Sequence, residues 1–260
     1  RREEYFNQEL LPRKTMEQVQ EEVERWAEEY KGEMERLQSN EQFRREFLMN
    51  LAHELKTPLF SAQGYIETLL SGALKDEQVN ELFLQKASRS IDRLSDLVKD
   101  LDVISRIESN RLLIEPTYFI IQDLIHEVFD ELEEKARRKK ISLFIKKGCE
   151  QPIQVYADRS RIKQVLINLV ENSIQYGKET GETSAGIYTV DAEDVYVEIT
   201  DTGIGIQEDQ VPRVFERFFR TDSARSRYEG GTGLGLAIVK HIIEAHHHTE
   251  IGRASCRERV

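Results

Sequence analysis

Apolar residues recur at helical spacing over most of the first hundred positions of this chain, and the pattern is interrupted once. Val19, Val23, Trp26 and Tyr30 are spaced 4, 3 and 4 apart, and Met34 and Leu37 continue the seam. It runs on through Phe43 and Phe47, then Leu48, Leu51 and Leu55, to Tyr65, Ile66, Leu69 and Leu70. Ser71-Gly72-Ala73-Leu74-Lys75-Asp76 reads as a turn, with Gly72 stopping the helix. A second helix carries Ala87, Ile91, Leu94, Val98 and Leu101 at alternating spacings of 4 and 3, and ends near Ser109-Asn110. Two long helices joined by a short loop form an antiparallel hairpin whose apolar seam is half covered. Two copies closing a four-helix bundle, a homodimer, are the natural completion. Residues 15–40 also need a partner for their seam, and self-association supplies one more simply than packing on the chain's own domain.

Near the middle of the first helix stands Phe47-Leu48-Met49-Asn50-Leu51-Ala52-His53-Glu54-Leu55-Lys56-Thr57-Pro58-Leu59. Leu48, Leu51 and Leu55 form one stripe, and His53, two residues from Leu51 and from Leu55, is turned roughly 200° away from it. Its imidazole is expected at solvent. Glu54 adjoins it and can orient or deprotonate the ring, and Thr57 follows one turn later on the same face. Pro58 cannot donate to the carbonyl of Glu54, so a bend is expected beside the histidine. On this stretch alone, a solvated histidine on an amphipathic helix is the competing reading.

From Leu113 the texture changes to short β-branched and aromatic runs alternating with helices, a separate α/β domain. Strands are expected at Tyr118–Ile120, Ile141–Ile145, Ile153–Tyr156, Ile187–Val190 and Val195–Thr200, the last two paired around Asp191-Ala192-Glu193-Asp194. Helices are expected over 121–139 and from a cap at Asp158 to about Tyr176. Three segments carry chemistry. In Asn168-Leu169-Val170-Glu171-Asn172-Ser173-Ile174-Gln175-Tyr176, two carboxamides four residues apart leave one helix face and can hold a hydrated Mg²⁺. In Asp201-Thr202-Gly203-Ile204-Gly205-Ile206, glycines permit a tight turn against a ligand, and the aspartate can accept from an exocyclic amine. In Gly230-Gly231-Thr232-Gly233-Leu234-Gly235, glycines open an apolar helix whose exposed N–H groups suit phosphates. A polar segment rather than a strand leads into it, so it is not a Rossmann turn. Between the last two lies Val214-Phe215-Glu216-Arg217-Phe218-Phe219-Arg220, followed by polar Thr221 to Glu229. Its phenylalanines can anchor a mobile lid, and Arg220 can reach a terminal phosphate. Taken singly, each segment also has a plain reading: solvated asparagines, a turn without a ligand, a surface ion pair.

Together and in this order they resemble the bacterial sensor histidine kinases of two-component systems, in the branch near the phosphate-sensing and osmosensing kinases. His53-Glu54-Leu55-Lys56-Thr57-Pro58-Leu59 is similar to that family's phospho-acceptor box. The segments at Asn168–Tyr176, Asp201–Gly205, Phe215–Phe219 and Gly231–Gly235 are similar to its nucleotide-binding boxes, and the likeness covers roughly residues 41–248. It implies a helical hairpin forming a dimeric four-helix bundle, followed by an α/β two-layer sandwich that binds ATP and is shared with gyrase-type ATPases and heat-shock chaperones. It further implies that His53 is the phosphorylated nucleophile, Glu54 the base beside it, and Thr57 a residue that positions water in a phosphatase reaction. Asn168 and Asn172 would hold Mg²⁺, Tyr176 would pack on adenine and Asp201 would read its amino group. Gly203 and Gly205 belong to the same turn; Gly231, Gly233 and Gly235 would border the phosphates, and Arg220 would contact the γ-phosphate. Gln175 departs from the pattern, since many relatives carry a lysine there. Asn168 stands where gyrase-type ATPases place a glutamate that activates water; an amide cannot be that base, which favours transfer over hydrolysis. The implied partner is a response-regulator receiver domain.

The domains expected are therefore a linker helix over 1–40, a dimerisation and phosphotransfer domain over 41–112 and an ATP-binding domain over 113–249. Residues 250–260 read as a translated sequencing adapter in place of closing strands, so Cys256 carries no functional information and His246-His247-His248 is a helix end rather than a metal site. A domain lacking those strands is expected to bind ATP weakly or to aggregate. With 260 residues and a net charge of -11, the chain is a poor match to phosphate backbones, which argues against nucleic acid as a partner. The two cysteines, Cys149 and Cys256, have no metal-ligand or disulfide-framework spacing, as expected in a reducing cytoplasm. No apolar run reaches the roughly 18 residues that span a bilayer. Membrane contact is thus expected only through a sensor region N-terminal to this sequence, making the chain the cytoplasmic part of an inner-membrane sensor. The rival readings are a structural or adaptor coiled coil with a degenerate ATP-binding domain, and an ATPase of the gyrase or chaperone type.

Overall fold

The long apolar periodicity is realised as two helices in the computed structural model, which describes residues 16–108, 113–189, 194–221 and 231–246. Helix α1 spans Met16–Leu70 and α2 spans Asn80–Glu108, joined through a 3-10 turn at Ala73–Lys75. Gly72 precedes that turn at a φ of 132°, backbone that a side chain disfavours. The helical assignment continues through Pro58. One residue before it, the Thr57 hydroxyl donates to the His53 carbonyl at 3.1 Å, a back-bond that commonly accompanies helix bending. Residues 1–15 of the linker helix expected over 1–40, the helix end at Ser109-Asn110, the expected strand end at Val190 with the turn over 191–193, and the adapter-like residues 250–260 lie outside the described residues.

The chain divides into two units, Arg1–Ala52 and His53–Val260. In the first, Val23, Trp26, Tyr30, Met34 and Leu37 are exposed, so the expected seam is uncovered among the described residues of this unit. In the second, α2 buries Ala87, Leu97 and Ile104. Ile91 and Val98 are 52% and 55% exposed, and with Leu84 they make a second stripe at seven-residue spacing, the uncovered part of the seam that a single hairpin was expected to leave. The apolar face of α2 is wider than one neighbouring helix covers.

Beyond the hairpin come β1 (Thr117–Ile120), α3 (Ile121–Arg138), β2 (Ser142–Ile145), β3 (Gln154–Ala157), α4 (Arg159–Tyr176), β4 (Glu182–Thr189), β5 (Val195–Asp201) and α5 (Gly235–Ala245). Strand β1 pairs antiparallel with β3, setting Tyr118 opposite Tyr156. Strand β4 lies between β2, its parallel partner, and β5, its antiparallel one, so Ala185 faces Ile145 on one side and Ile199 on the other. Leu124, Ile125, Val128 and Leu132 of α3, Leu166, Val170 and Ile174 of α4, and Ala185 and Ile187 of β4 share one core. Helices packed on sheet make the two-layer α/β sandwich.

Two local features position the site. Helix α4 begins where expected: Asp158 accepts from the backbone N–H groups of Ser160 at 3.0 Å and Arg161 at 3.1 Å. Burial works against the Asp158 charge, but hydrogen bonds from Ser160, Glu115 and Arg161 outweigh it and hold its carboxyl below the usual range. Strand β4 starts at Glu182, five residues before the expected Ile187. The early half is small and polar in sequence yet buried, because β4 is the central strand; Thr183 and Ser173 satisfy each other through their hydroxyls.

Candidate functional site

Around the C-terminal half of α4, three of the segments singled out by sequence converge. Asn168 and Asn172 are both half-buried, one turn apart on α4, and the Asn168 amide donates to the Gly235 carbonyl at 3.2 Å, tying α4 to the start of α5. The turn after β5 closes on itself, since Asp201 Oδ1 accepts from Gly203 N at 2.7 Å. It also closes on α4, since Ile204 N donates to the Tyr176 carbonyl at 3.2 Å. A Cβ at Gly203 would lie 2.6 Å from Asp201 Oδ1 and 2.8 Å from the Tyr176 carbonyl oxygen, so only glycine fits. Asp201 itself is exposed, with one oxygen held by the turn and the carboxylate open to a ligand.

The glycine-rich loop completes this region. Gly231 and Gly233 adopt φ of 97° and 72°, the left-handed region that favours glycine. A Cβ on Gly231 would come within 3.2 Å of the Gln175 amide nitrogen and 3.5 Å of the Tyr176 hydroxyl. Gly233 packs against the phenylalanine segment: Phe218 N donates to the Gly233 carbonyl at 2.8 Å, and a Cβ on Gly233 would meet the Phe218 Cα and carbonyl carbon at 2.8 Å. Phe218 has a φ of 62°, strained for an aromatic residue and held by this pairing. Gly235 differs, because a Cβ there meets Asn168 only at 3.8 Å, an ordinary contact. Gly205 supplies a further left-handed turn at φ 73°, and Arg220 is half-buried at the end of the phenylalanine segment. Gly230 and the polar stretch 222–229 lie outside the described residues.

On the hairpin, His53 and Thr57 are exposed, while the Glu54 carboxylate is half-buried against Arg93 of α2 at 3.0 Å. Sequence reading did not find Arg93, although the signal was available. In an antiparallel hairpin, partners lie symmetrically about the turn, and the mean of 54 and 93 falls within Ala73–Lys75.

The two sets of residues are separate in this arrangement. The glycine-rich loop meets the hairpin at Asp100, whose Oδ2 accepts from the Thr232 hydroxyl at 2.9 Å. Asp100 is seven residues beyond Arg93 on α2, about 10 Å along the helix axis. No local pattern marks this contact, which joins residues 132 apart.

Comparisons with known proteins follow the same division. Residues 43–110 match the family described as the His Kinase A (phospho-acceptor) domain, and residues 157–259 match the histidine kinase-, DNA gyrase B-, and HSP90-like ATPases. The chain is 35% identical over 207 residues to the sensor histidine kinase WalK of Bacillus subtilis, covering 79% of this chain and 34% of WalK. It therefore spans about a third of that relative's length. Among solved structures, the histidine kinase AdeS of Acinetobacter baumannii superposes with a TM-score of 0.59 at 30% identity, covering 74% of this chain and 86% of AdeS. Histidine kinase ThkA, solved in complex with the response regulator protein TrrA, gives 0.60 at 29% identity over 85% of this chain and 60% of that one. The phospho-acceptor match contains His53–Leu59, and the ATPase match contains the asparagine, aspartate-glycine and glycine-rich segments. With both halves present in one chain and in this order, the chain belongs to the two-component sensor histidine kinases.

Proposed function

We propose that this chain is the phosphotransfer part of a sensor histidine kinase: it binds ATP with Mg²⁺, transfers the γ-phosphoryl group to His53, and passes it to an aspartate of a response-regulator receiver domain. The observation that carries this reading is one chain holding both an exposed histidine beside a fixed carboxylate and the convergent site on α4. We read 41–112 as the phosphotransfer domain, 113–249 as the ATP-binding domain and 1–40 as a linker helix. The shared core running from Phe119 to Ile187 supports starting the second domain well before the matched residue 157.

Each role rests on the chain's own groups. The unprotonated ring nitrogen of His53 attacks the γ-phosphorus, the bond to the departing ADP oxygen breaks, and the remaining ring proton leaves to Glu54 or to water. The Arg93 guanidinium holds the Glu54 side chain in place, which makes Glu54 an orienting group as well as a base. The open Asp201 carboxylate accepts from the adenine amine, Tyr176 lines the base site, and the loop bounded by Gly231, Gly233 and Gly235 presents N–H groups to phosphates. Arg220 is assigned to the γ-phosphate.

Asn168 and Asn172 suit Mg²⁺ arriving with the nucleotide. Among the described residues no group of three or more His, Cys, Asp or Glu side chains could hold a metal alone, and two neutral amide oxygens need phosphate oxygens and water to complete an octahedral shell. The ion would neutralise charge on the transferring phosphoryl group. Thr57, one turn from His53, suits a second activity, hydrolysis of the regulator's phosphoaspartate.

The exposed stripe Leu84, Ile91 and Val98 supports a homodimer. No described helix is long and apolar enough to cross a membrane; the reading of the chain as the cytoplasmic part of an inner-membrane sensor is carried by its likeness to the sensor histidine kinases. A purely structural coiled coil would have no need for glycines whose every added Cβ collides at Gly203 and Gly233. Incubating the chain with ATP and Mg²⁺ and mapping the phosphorylated peptide at neutral pH tests the proposal. Phosphate on the peptide containing His53 is expected, and phosphate elsewhere or none would reject it.

A further inference from the structure

The contact between Asp100 and Thr232 has a geometry that the phosphotransfer reading does not use. Thr232 is committed twice: its hydroxyl donates to Asp100 at 2.9 Å and accepts from Leu234 N at 3.1 Å. The glycines on either side adopt left-handed backbone, so the hydroxyl fixes the whole turn rather than one side chain. At Asp100 the loop lies about 10 Å along α2 from the level of Arg93 and Glu54, whereas in-line attack needs reacting atoms about 3–3.5 Å apart. A phosphate held by the loop's N–H groups at about 3 Å would remain several ångström short.

The charges beside the loop are also wrong for an anion. Asp100 is faced by Asp96 and Lys99 from its own helix, by Glu171 from α4 and by the Thr232 hydroxyl from the loop. Lys99 pairs with Asp96 at 3.1 Å and Lys135 pairs with Glu171, so the Asp100 carboxylate is the group here that opposes a phosphate on the same turn.

From this geometry, and resting on the assignment of the loop to phosphates, we propose that Asp100 is a positioning residue that latches Thr232 and parks the glycine-rich loop short of His53, so that the latch must open before phosphoryl transfer. The latch is pH-sensitive. Burial raises the Asp100 carboxyl to about 6, with the Thr232 hydrogen bond opposing the shift and Asp96 and Glu171 adding to it. The parked state therefore holds the proton more tightly than the released state does. Its stabilisation is complete below the ordinary carboxylate range and is lost as pH rises through about 6. Near neutral pH the latch is weakened and the loop is easier to free.

Amide hydrogen exchange of residues 231–236 in the full 260-residue chain reads the latch without requiring nucleotide. Parent, Asp100→Ala, Asp100→Asn and Thr232→Ser would be compared at about pH 5 and about pH 7.5 after correction for intrinsic exchange. Asp100→Ala should speed exchange at Leu234, whose amide donates to the Thr232 hydroxyl, by about tenfold or more at the lower pH, with Leu124–Leu132 of α3 unchanged. Asp100→Asn keeps an acceptor oxygen and should stay protected while losing the parent's pH dependence, and Thr232→Ser should behave as the parent. Unchanged protection in Asp100→Ala, or a retained pH dependence in Asp100→Asn, overturns the proposal. In parallel, Asp100→Ala should accelerate labelling by ATP, and a slower kcat at unchanged KM would mean that the contact is productive docking and would overturn it as well. If exchange responds as expected but no variant is labelled, the latch stands and the kinase reading fails.

Discussion

Replacing Gly233 by alanine should uncouple the glycine-rich loop from the phenylalanine segment while leaving the domain folded. The added Cβ meets two backbone atoms of Phe218 at 2.8 Å, where no side chain can move aside, on backbone at φ 72°. Left-handed backbone costs a side-chain-bearing residue about 1–2 kcal/mol, and forced overpacking about 1–3 kcal/mol. The sum, about 2–5 kcal/mol, corresponds to roughly 30-fold to several-thousand-fold in the population of the paired loop. Since neither Gly233 nor Phe218 belongs to the core shared by α3, α4 and β4, the cheapest relief is to break the bond between Phe218 N and the Gly233 carbonyl. Binding of a fluorescent ATP analogue should therefore weaken at least about tenfold relative to the parent, with the unfolding midpoint falling by less than about 4 °C. If the whole domain absorbed the strain, the midpoint would fall by about 4–20 °C. Gly235→Ala is the control: its Cβ meets Asn168 at 3.8 Å, and a helical alanine there should be neutral or stabilise by about 0.4–1 kcal/mol. Parent-like affinity in Gly233→Ala, or a lowered unfolding midpoint in Gly235→Ala, would refute the steric argument.

Other consequences are as direct. Asp158→Ala removes the α4 cap and should cost about 1–2 kcal/mol in urea unfolding; because the folded carboxyl sits below its usual range, the parent's advantage should be full above that range and shrink as pH falls through it. Ile91→Glu with Val98→Glu should convert a dimer to a monomer in sedimentation, with helix content kept by circular dichroism; a persistent dimer would place the interface elsewhere. Arg93→Met removes the partner of Glu54 and should lower the labelling rate of His53 with little change in ATP affinity, whereas unchanged kinetics would show that Glu54 needs no anchor.

Much of this was legible in residues whose chemistry is local. Asp158 before an apolar helix, Gly72 at a helix end and the glycines at 203, 231 and 233 all announce backbone that only those residue types serve well. The start of β4 was hidden because Thr183 and Ser184 look like loop residues until a central strand buries them and Ser173 satisfies one. The half-covered seam of the hairpin was legible too, although periodicity identifies an apolar face and not which of its residues, here Ile91 and Val98, one hairpin leaves uncovered. Phe218 gave no warning of its left-handed backbone, since its conformation follows from pairing with Gly233. Asp100 and Thr232 are ordinary surface residues in sequence, and only the packing of α5 against α2 brings them together.

The central claim is that His53 accepts the γ-phosphoryl group, and γ-labelled ATP with Mg²⁺ offered to the chain and to His53→Gln tests it most directly. The account predicts label on the parent that is lost in acid and kept in alkali, as a phosphorus–nitrogen bond requires, and none on the variant. Label retained by His53→Gln, or acid-stable label on the parent, would contradict it.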